Sequence, residues 1–502
     1  MFRVRHKDAM GRICDLSLLD VKVETPCLAP VLDRGVSQEL LDYMYEEVKL
    51  RVFVITEPLK LKIPGEALIV NLYGKPLSLR NEVLAVTPEK LKGSNQERPV
   101  EVILNKPLNG DGDIYGLSVK DLEKSIEIRL GFNIAKPVHA LDVYCKEHIP
   151  LLVAFGYDIL SPLPLSDWAT EGLYLAGYKL KSIQKLVELP CSCPVCSEVS
   201  LETLERMDEK ALYDFLFKHN LWMFMEELKV SKQAVREGSL LNLVQREVRA
   251  NRNLLSLYRR LMGRFGGVIE VFDPVTKGSA FFYSGVESFY RPEAIRARER
   301  LKKRVRFAGE KLKPVFGPVP EGLMVTYPFG QSEFPENIEK EVLELTRKEF
   351  YGLKQKKYLK RDWSDLDVVR VVADYQFGSG VGEKLFNEEV LVERSKRTGR
   401  IRRVHKGGKV VGTLRASDGL LVLKGEAVKV LHKILPYPRY RVVIADEAVD
   451  FVKKGRSVFC KFVIECDENI RAGDEVLIVD KNDELAAYGK AVLSGVEMKM
   501  FK

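Results

Sequence analysis

Apolar positions over residues 1–165 fall into short runs separated by longer amphipathic stretches. Val21-Lys22-Val23-Glu24-Thr25-Pro26 reads as a strand stopped at a proline, and residues 37–49 carry helical spacing. Val52-Phe53-Val54-Ile55 and Ala67-Leu68-Ile69-Val70 are compact apolar runs bounded by Pro and Gly, and Glu101-Val102-Ile103-Leu104 is another. Strands buried on both faces of a parallel sheet look like this. Residues 119–129 read as helix, and Leu151-Leu152-Val153-Ala154-Phe155 as one more buried run ahead of Gly156. Strands alternating with helices predict an α/β architecture.

The pattern then changes. Residues 198–264 hold heptad-like apolar spacing with few breakers, marking a helical region. Beyond Phe265-Gly266-Gly267 the chain turns mixed and basic, with Pro314, Pro318, Pro320, Pro328 and Pro335, and a boundary is expected near residue 290. The tail reads as short strands at Arg441-Val442-Val443-Ile444, 458–463, 475–479 and 487–494, with turn signals at Gly473-Asp474 and Lys481-Asn482-Asp483. That is the pattern of a small β-barrel. No internal repeat or low-complexity segment interrupts it.

At 502 residues the chain has room for three domains at about 150 residues each. Hydrophobic residues make up 46% and charged residues 30%, which excludes a disordered, collagen-like or disulfide-dense chain. No apolar run approaches the roughly 18–20 residues of a membrane helix. The N-terminus lacks the apolar core of a signal peptide, so the expectation is a cytoplasmic protein with no membrane partner. Lys plus Arg is 80 against 71 Asp plus Glu, a net +9 that permits nucleic-acid binding without demanding it. Clustering matters more than the sum, and the bases gather at 302–313, 354–361 and 396–409.

Cys191, Cys193 and Cys196 lie within six residues, whereas Cys14, Cys27, Cys145, Cys460 and Cys466 are scattered. This usage suits one metal site better than a disulfide framework. In Pro190-Cys191-Ser192-Cys193-Pro194-Val195-Cys196 a tight turn can present two sulfurs to one ion, and His219 on a following helix supplies a fourth ligand. Three thiolates and an imidazole form a closed tetrahedral set for Zn2+, leaving no position for a catalytic water. The zinc is expected to pin a helical insert onto the α/β body.

Cys-x-Cys-x2-Cys with a histidine 23 positions on resembles the zinc signature of tRNA-guanine transglycosylases. The opening Phe2-Arg3-Val4-Arg5-His6-Lys7-Asp8-Ala9 and Val23-Glu24-Thr25-Pro26 resemble that family's first strands. Lys136-Pro137-Val138-His139 and Ala154-Phe155-Gly156-Tyr157-Asp158 resemble two later ones. Tyr283-Ser284, Ser288-Phe289-Tyr290-Arg291-Pro292-Glu293, Thr326-Tyr327-Pro328-Phe329-Gly330 and Ala373-Asp374-Tyr375-Gln376-Phe377-Gly378 are similar to archaeal members, and Arg471-Ala472-Gly473-Asp474-Glu475-Val476 to a PUA domain. The resemblance implies a (β/α)8 TIM barrel with a zinc-binding helical insert, then small α+β modules and a C-terminal RNA-binding PUA β-barrel. The expected division is a barrel over 1–290, a connecting module over 291–365, a pre-PUA module over 366–432 and the PUA domain over 433–502.

The resemblance breaks at the chemistry. Base exchange needs a carboxylate nucleophile and a second acid for proton transfer. The family's Gly-x-Asp-x-Phe-Asp run reads Gly156-Tyr157-Asp158-Ile159-Leu160-Ser161 here, so Ser161 stands at the nucleophile position. No Asp-Ser-Gly tripeptide occurs, and the glycine-rich loop that cradles the base reads Leu141-Asp142-Val143-Tyr144-Cys145-Lys146-Glu147-His148. These losses resemble archaeosine synthase, the paralogue that acts on the nitrile of 7-cyano-7-deazaguanine in the tRNA D-arm with an amino-group donor. That family's Pro-Cys-x3-Lys-Pro-Tyr motif is absent, and Pro26-Cys27 continues as Leu28-Ala29-Pro30, so a partner enzyme is an alternative source of the nitrile chemistry.

Catalytic candidates are Cys145 with His148 and Asp142, a nucleophile, base and orienter in sequence, and Cys27, although buried structural thiols are the commoner reading of both cysteines. Arg400, Arg402 and Arg403 lie on a basic strand around Ile401 and Val404, and Lys453, Lys454 and Arg456 at a helix end capped by Gly455. Each set reads either as phosphate contacts or as solvated surface charge. The expected partners are tRNA, an amino donor, a partner enzyme and further copies in a homo- or hetero-oligomer. The functions left open are an archaeosine-pathway enzyme, a non-catalytic tRNA-binding subunit, and an active transglycosylase.

Overall fold

The computed structural model describes residues 2–18, 20–73, 82–84, 101–102, 114–131, 133–306, 311–351 and 362–501, and divides into two compact units, Met1–Leu255 and Ser256–Lys502.

The first unit opens with an antiparallel sheet of β1 (Phe2–Asp8), β2 (Gly11–Leu18) and β3 (Val21–Thr25). β4 (Cys27–Leu28) and β5 (Val31–Leu32) follow as the two ends of one extended segment. α1 (Gln38–Glu46) starts where the Ser37 hydroxyl accepts from the Leu40 amide at 3.1 Å, satisfying one of the helix's free donors. β6 (Val52–Ile55), β7 (Leu68–Asn71) and β8 (Glu82–Leu84) extend β5 into a parallel sheet, and every residue of β6 and β7 is buried, as their unbroken apolar runs require. β9 (Glu101–Val102), β10 (Ile114–Leu117), α2 (Leu122–Leu130), β11 (Val138–Val143), α3 (His148–Ala154) and β12 (Ile159–Pro162) build a second sheet in the order β4-β12-β11-β10-β9, parallel except at β9. Only residues 101–102 of the expected 101–104 strand lie among the described residues. α2 begins later than its spacing suggested, because the Asp121 carboxylate caps it from outside through the Lys124 amide.

The expected strand over 151–155 is the end of helix α3. Its residues from Ile149 to Ala154 are all buried, so polar positions that would have shown helical periodicity are missing. A short apolar run does not distinguish the two states.

The sheets share one core. Cys27, Ala29, Val31, Val52, Val54, Leu68, Val70, Ile114 and Ile159, at alternate strand positions, pack with Leu16, Leu18 and Val21 of the N-terminal sheet. Among the described residues the strands form open sheets that meet at residues 27–32, and no single closed eight-stranded barrel. α4 (Leu165–Thr170) and the hairpin β13 (Leu173–Ala176) and β14 (Lys179–Ser182) lead into the helical region of α5 (Leu201–Glu205), α6 (Glu209–Glu237) and α7 (Leu240–Glu247). α6 is capped by Asp208 and ends at Gly238 with φ of +73°, a left-handed position that favours glycine.

α8 (Arg252–Phe272) spans the division between the units and runs through Gly266 and Gly267, where the sequence pattern suggested a break. A Cβ on Gly266 would collide with the Tyr290 carbonyl, so that glycine serves a close approach. In the second unit β15 (Phe281–Phe282), α9 (Pro292–Arg304), the hairpin β16 (Lys311–Lys313) and β17 (Gly317–Val319), β18 (Ser332–Glu333) and α10 (Lys340–Glu349) come first. α11 (Asp365–Phe377), opened by a Ser364–Asp367 capping box, and α12 (Val381–Leu385) precede an antiparallel sheet of β19 (Leu391–Arg394), β20 (Ile401–Lys406), β21 (Lys409–Leu414) and β22 (Leu421–Leu423). After α13 (Glu426–Ile434) come β23 (Arg441–Ile444), α14 (Asp446–Lys453), β24 (Val463–Cys466), β25 (Glu475–Val479), β26 (Leu485–Lys490) and α15 (Gly495–Met500), with sheet order β24-β23-β25-β26. The strand expected over 458–463 starts at Val463, because Cys460–Phe462 coils into a 3-10 turn. The basic stretch 354–361 lies outside the described residues.

Candidate functional site

The four sequence-predicted metal ligands converge. The sulfurs of Cys191, Cys193 and Cys196 and a ring nitrogen of His219 all lie within 4.8 Å of one another. His219 is fully buried on α6, with Nδ1 3.2 Å from Cys196 Sγ and 3.7 Å from Cys193 Sγ. Its Nε2 donates to the Leu175 carbonyl of β13 at 3.1 Å, which fixes the tautomer and turns the Nδ1 lone pair toward the sulfurs. Tyr174 stacks on the imidazole at 3.7 Å between centroids and brings its hydroxyl to 3.4 Å from Cys196 Sγ. Asn220 locks β13 from the same helix: Oδ1 accepts from the Leu175 amide and Nδ2 donates to the Leu173 carbonyl, both at 2.9 Å. The hydrogen bond with Cys196 and then His219 hold the Cys193 thiol well below its usual value, while the Cys191 and Cys196 thiols are raised, so the metal-free cluster favours a single thiolate at Cys193. This soft donor set fits Zn2+; bound there, the ion would cross-link the 191–196 loop, hairpin and α6.

β11 and β12 are neighbouring parallel strands, with His139 near the start of β11 and paired with Ile159. Ser161, on β12, is fully buried, and its Oγ is 2.7 Å from Nε2 of His139 on β11. Burial lowers His139 to about 3, so the ring is neutral. Asp158 faces the other way. Arg12 grips it through Nε at 2.9 Å and Nη2 at 2.8 Å, and the Val138 amide donates to it at 2.9 Å. Arg12 also donates to the Ile134 and Lys136 carbonyls, so the pair ties the N-terminal sheet to the loop ahead of β11. Neither the Ser161–His139 contact nor this ion pair is marked in the sequence, although Lys136-Pro137-Val138-His139 and Asp158 stand within its motifs.

The loop in the glycine-rich position is held in place. Asp142 accepts from the Ser118 hydroxyl at 2.6 Å and from the Val119 amide. Lys146 reaches Glu227 of α6 at 3.7 Å and lies over the Tyr178 ring at 4.9 Å. Burial, then Glu247, raises Glu227 to about 7 against the pull of Lys146. The structure does not join Cys145, His148 and Asp142 by side-chain hydrogen bonds: the contact between the first two is backbone, from the His148 amide to the Cys145 carbonyl. Burial pushes the Cys145 thiol up to about 11 and lowers His148 to about 4. Cys27 belongs to the shared core and is raised to about 12 by burial.

The basic strand carries a register shift. Glu393 pairs with Arg403 and Arg394 with Ile401, so Arg402 is the extra residue of a bulge. Strict alternation would turn one of two adjacent arginines inward; the bulge leaves Arg402 and Arg403 both exposed while Ile401 and Val404 are buried. Arg400 and Arg402 make no ion pair among the described residues, whereas Arg403 reaches Glu393 at 3.3 Å. Arg400 and Arg402 line a groove of about 550 Å³ with Arg397 and Arg415, and Arg402 borders a second of about 790 Å³. Lys453, Lys454 and Arg456 are exposed at the end of α14, beside exposed Phe451 and Phe459. Gly455 adopts φ of +79° and donates to the Val452 carbonyl, closing the helix as its spacing predicted. No helix among the described residues is long and apolar enough to cross a membrane.

Four family descriptions match successive stretches of the chain. Residues 115–253 match queuine tRNA-ribosyltransferase, 274–342 the C1 domain of tRNA-guanine transglycosylase dimerisation, 367–438 the patch-forming domain C2 of tRNA-guanine transglycosylase, and 440–502 the PUA domain. A protein named tRNA-guanine(15) transglycosylase from Methanocaldococcus jannaschii is 30% identical over 646 residues, covering 100% of this chain and 97% of the relative. A protein of the same name from Methanococcus aeolicus is 30% identical over 642 residues, covering 100% and 98%. A third, from Thermococcus kodakarensis, is 38% identical over 378 residues, covering 75% of this chain and 62% of that protein.

Proposed function

The chain belongs to the tRNA-guanine(15) transglycosylase family, and on that premise we propose that it modifies tRNA in the archaeosine pathway at a step other than base exchange. A family catalytic domain and a C-terminal PUA domain are present. The proposed substrate is 7-cyano-7-deazaguanine in the D-arm of tRNA, and the proposed reaction converts its nitrile with an amino-group donor. The proposed body is a (β/α)8 barrel: β12 pairs with β4, and alternate residues from both sheets fill one core, as closure would require. The divisions proposed are 1–290, 291–365, 366–432 and 433–502, with Zn2+ on Cys191, Cys193, Cys196 and His219.

The observation that carries this reading is the fate of the carboxylates. Ser161 occupies the nucleophile position and its buried hydroxyl is spent on neutral His139. Asp158, the nearest acid in sequence, is fully engaged by Arg12 and the Val138 amide. An oxocarbenium-like exchange at the ribose needs a free carboxylate, and neither group supplies one. tRNA is the proposed partner because of the family and its PUA domain, and self-association is proposed through the stretch matching the dimerisation domain.

A second reading is a tRNA-binding subunit that presents its substrate to a partner enzyme. The raised Cys145 thiol favours it, since a thiol near 11 offers little thiolate at neutral pH. One experiment separates the readings. The purified protein is given tRNA carrying 7-cyano-7-deazaguanine and labelled amino donors, and nucleosides are analysed by mass, with labelled guanine in parallel. Amidine without guanine uptake supports the enzyme; tRNA binding with neither product supports the subunit; guanine uptake by the lone protein overturns both.

A further inference from the structure

A third cavity, of about 860 Å³, lies within the second unit among α9, residues 436–440 and the loop after β24. Its volume falls in the roughly 300–1,000 Å³ range of ligand sites. Cations dominate its walls, and most are compensated. Arg296 and Arg471 share Glu270, Arg300 holds Asp474 at 3.0 Å, and Lys303 pairs with Glu299 at 2.5 Å. The Asp467 carboxylate accepts from the amides of Tyr440 and Asn469 and from Asn469 Nδ2, and makes no ion pair among the described residues.

Two guanidinium groups are left over. Arg304 uses Nη1 on the carbonyls of Tyr375 and Gln376 and on the Tyr440 hydroxyl, none of them an acid, and its Nε and Nη2 donate to nothing among the described residues. Arg439 has no side-chain hydrogen bond or ion pair among the described residues. It lies close against Gly378, where a Cβ would collide with its Nη2; Gly378 also has φ of +132°, so the position is closed to side chains twice over. Burial and then the like charge of Arg304 lower the Arg439 guanidinium. Asp467 offsets part of this from a distance, but no acid among the described residues touches either side chain, and two like charges held together this way cost free energy unless an anion joins them. At the rim Tyr437 is 52% exposed, its hydroxyl donating to Glu465 at 3.1 Å, and it offers a flat face to an unpaired base.

We propose that this cavity is a phosphate-binding pocket in which Arg439 and the free edge of Arg304 hold one phosphate of an RNA chain. It is separate from the Arg400–Arg403 strand and the Lys453–Arg456 helix end, and the RNA source rests on the tRNA reading above. Bidentate guanidinium donors suit phosphate oxygens, and the exposed ring beside them favours a nucleotide over a free anion.

Arg439→Gln is the direct test, because it breaks no intramolecular hydrogen bond and is expected to melt with the parent. tRNA binding is measured over a salt series with the full-length protein, its Arg439→Gln variant and its Arg439→Lys variant. Loss of one phosphate contact should lower the salt slope by about one unit, which is about tenfold in affinity at ~0.1 M salt. Arg439→Lys should recover part of it. Inorganic phosphate is titrated against thermal melting as a second arm. Unchanged tRNA affinity and slope in Arg439→Gln overturns the proposal, and if phosphate still stabilises the parent but not the variant, the pocket takes a free anion instead. If the parent itself fails to bind tRNA, the tRNA reading falls and this assignment with it.

Discussion

Asp158→Asn separates a structural carboxylate from a catalytic one. The substitution keeps the shape of the side chain and removes its charge. Asp158 and Arg12 have side chains only 1% exposed, so water cannot replace the lost partner. Arg129 deepens the loss: it is buried nearby, lowered to about 10 by burial and then by the charge of Arg12. A neutral amide at this position would remove the Asp158 charge from between two buried guanidinium groups. Removing one member of a buried pair costs about 3–5 kcal/mol, a large share of a total near 5–15 kcal/mol. At roughly 2–4 °C per kcal/mol the melting temperature should fall by about 6–20 °C. Differential scanning calorimetry reads this, and guanidinium titration checks the midpoint. Adding Arg12→Met to Asp158→Asn should recover part of the loss, because the buried charge that Asp158 balanced goes with it. A variant that melts within about 2 °C of the parent would refute the ion-pair reasoning. If that variant also lost activity on tRNA, Asp158 would be a catalytic group.

Four further outcomes are expected. The protein should carry one zinc per chain, and Cys193→Ser should lose the metal and melt earlier; unchanged metal content by emission spectrometry would reject the site. Glu227 is raised from 4.5 to about 7, so the folded state binds more protons than the unfolded chain between those values and stability falls as pH rises through that window. Glu227→Gln should flatten this trend in denaturant titrations from pH 5 to 8, and an unaltered slope would disprove it. Replacing Arg400, Arg402 and Arg403 together should lower the salt slope of tRNA binding by about two to three units, nearer two because Glu393 already engages Arg403. Replacing Lys453, Lys454 and Arg456 should act likewise, and two triple variants that bind like the parent would misplace the RNA face.

The convergence of four residues able to hold a metal was legible in the sequence because their spacing is local. Three cysteines in one turn and a histidine on a helix need only that helix to fold back to bring the four side chains together. The parallel strands were legible from their runs Val52–Ile55 and Leu68–Val70 because strand residues buried on both faces of a sheet are mostly apolar. The same rule misled at residues 149–154, where a fully buried helix is apolar for the same reason. What needed the tertiary structure was pairing across distance. Arg12 and Asp158 are 146 residues apart, and only the strand order makes Asp158 a brace. The Ser161 hydroxyl meets His139 because β11 and β12 are neighbours, a fact no spacing encodes. The bulge at Arg402 turned adjacent arginines to one face, and Arg304 and Arg439 became a pair through folding of segments 135 residues apart in number, each unremarkable alone. Periodicity and ligand spacing record what a segment buries and what it can bind. Which charge is left without a partner depends on every segment packed around it, so it is settled only when the whole unit closes.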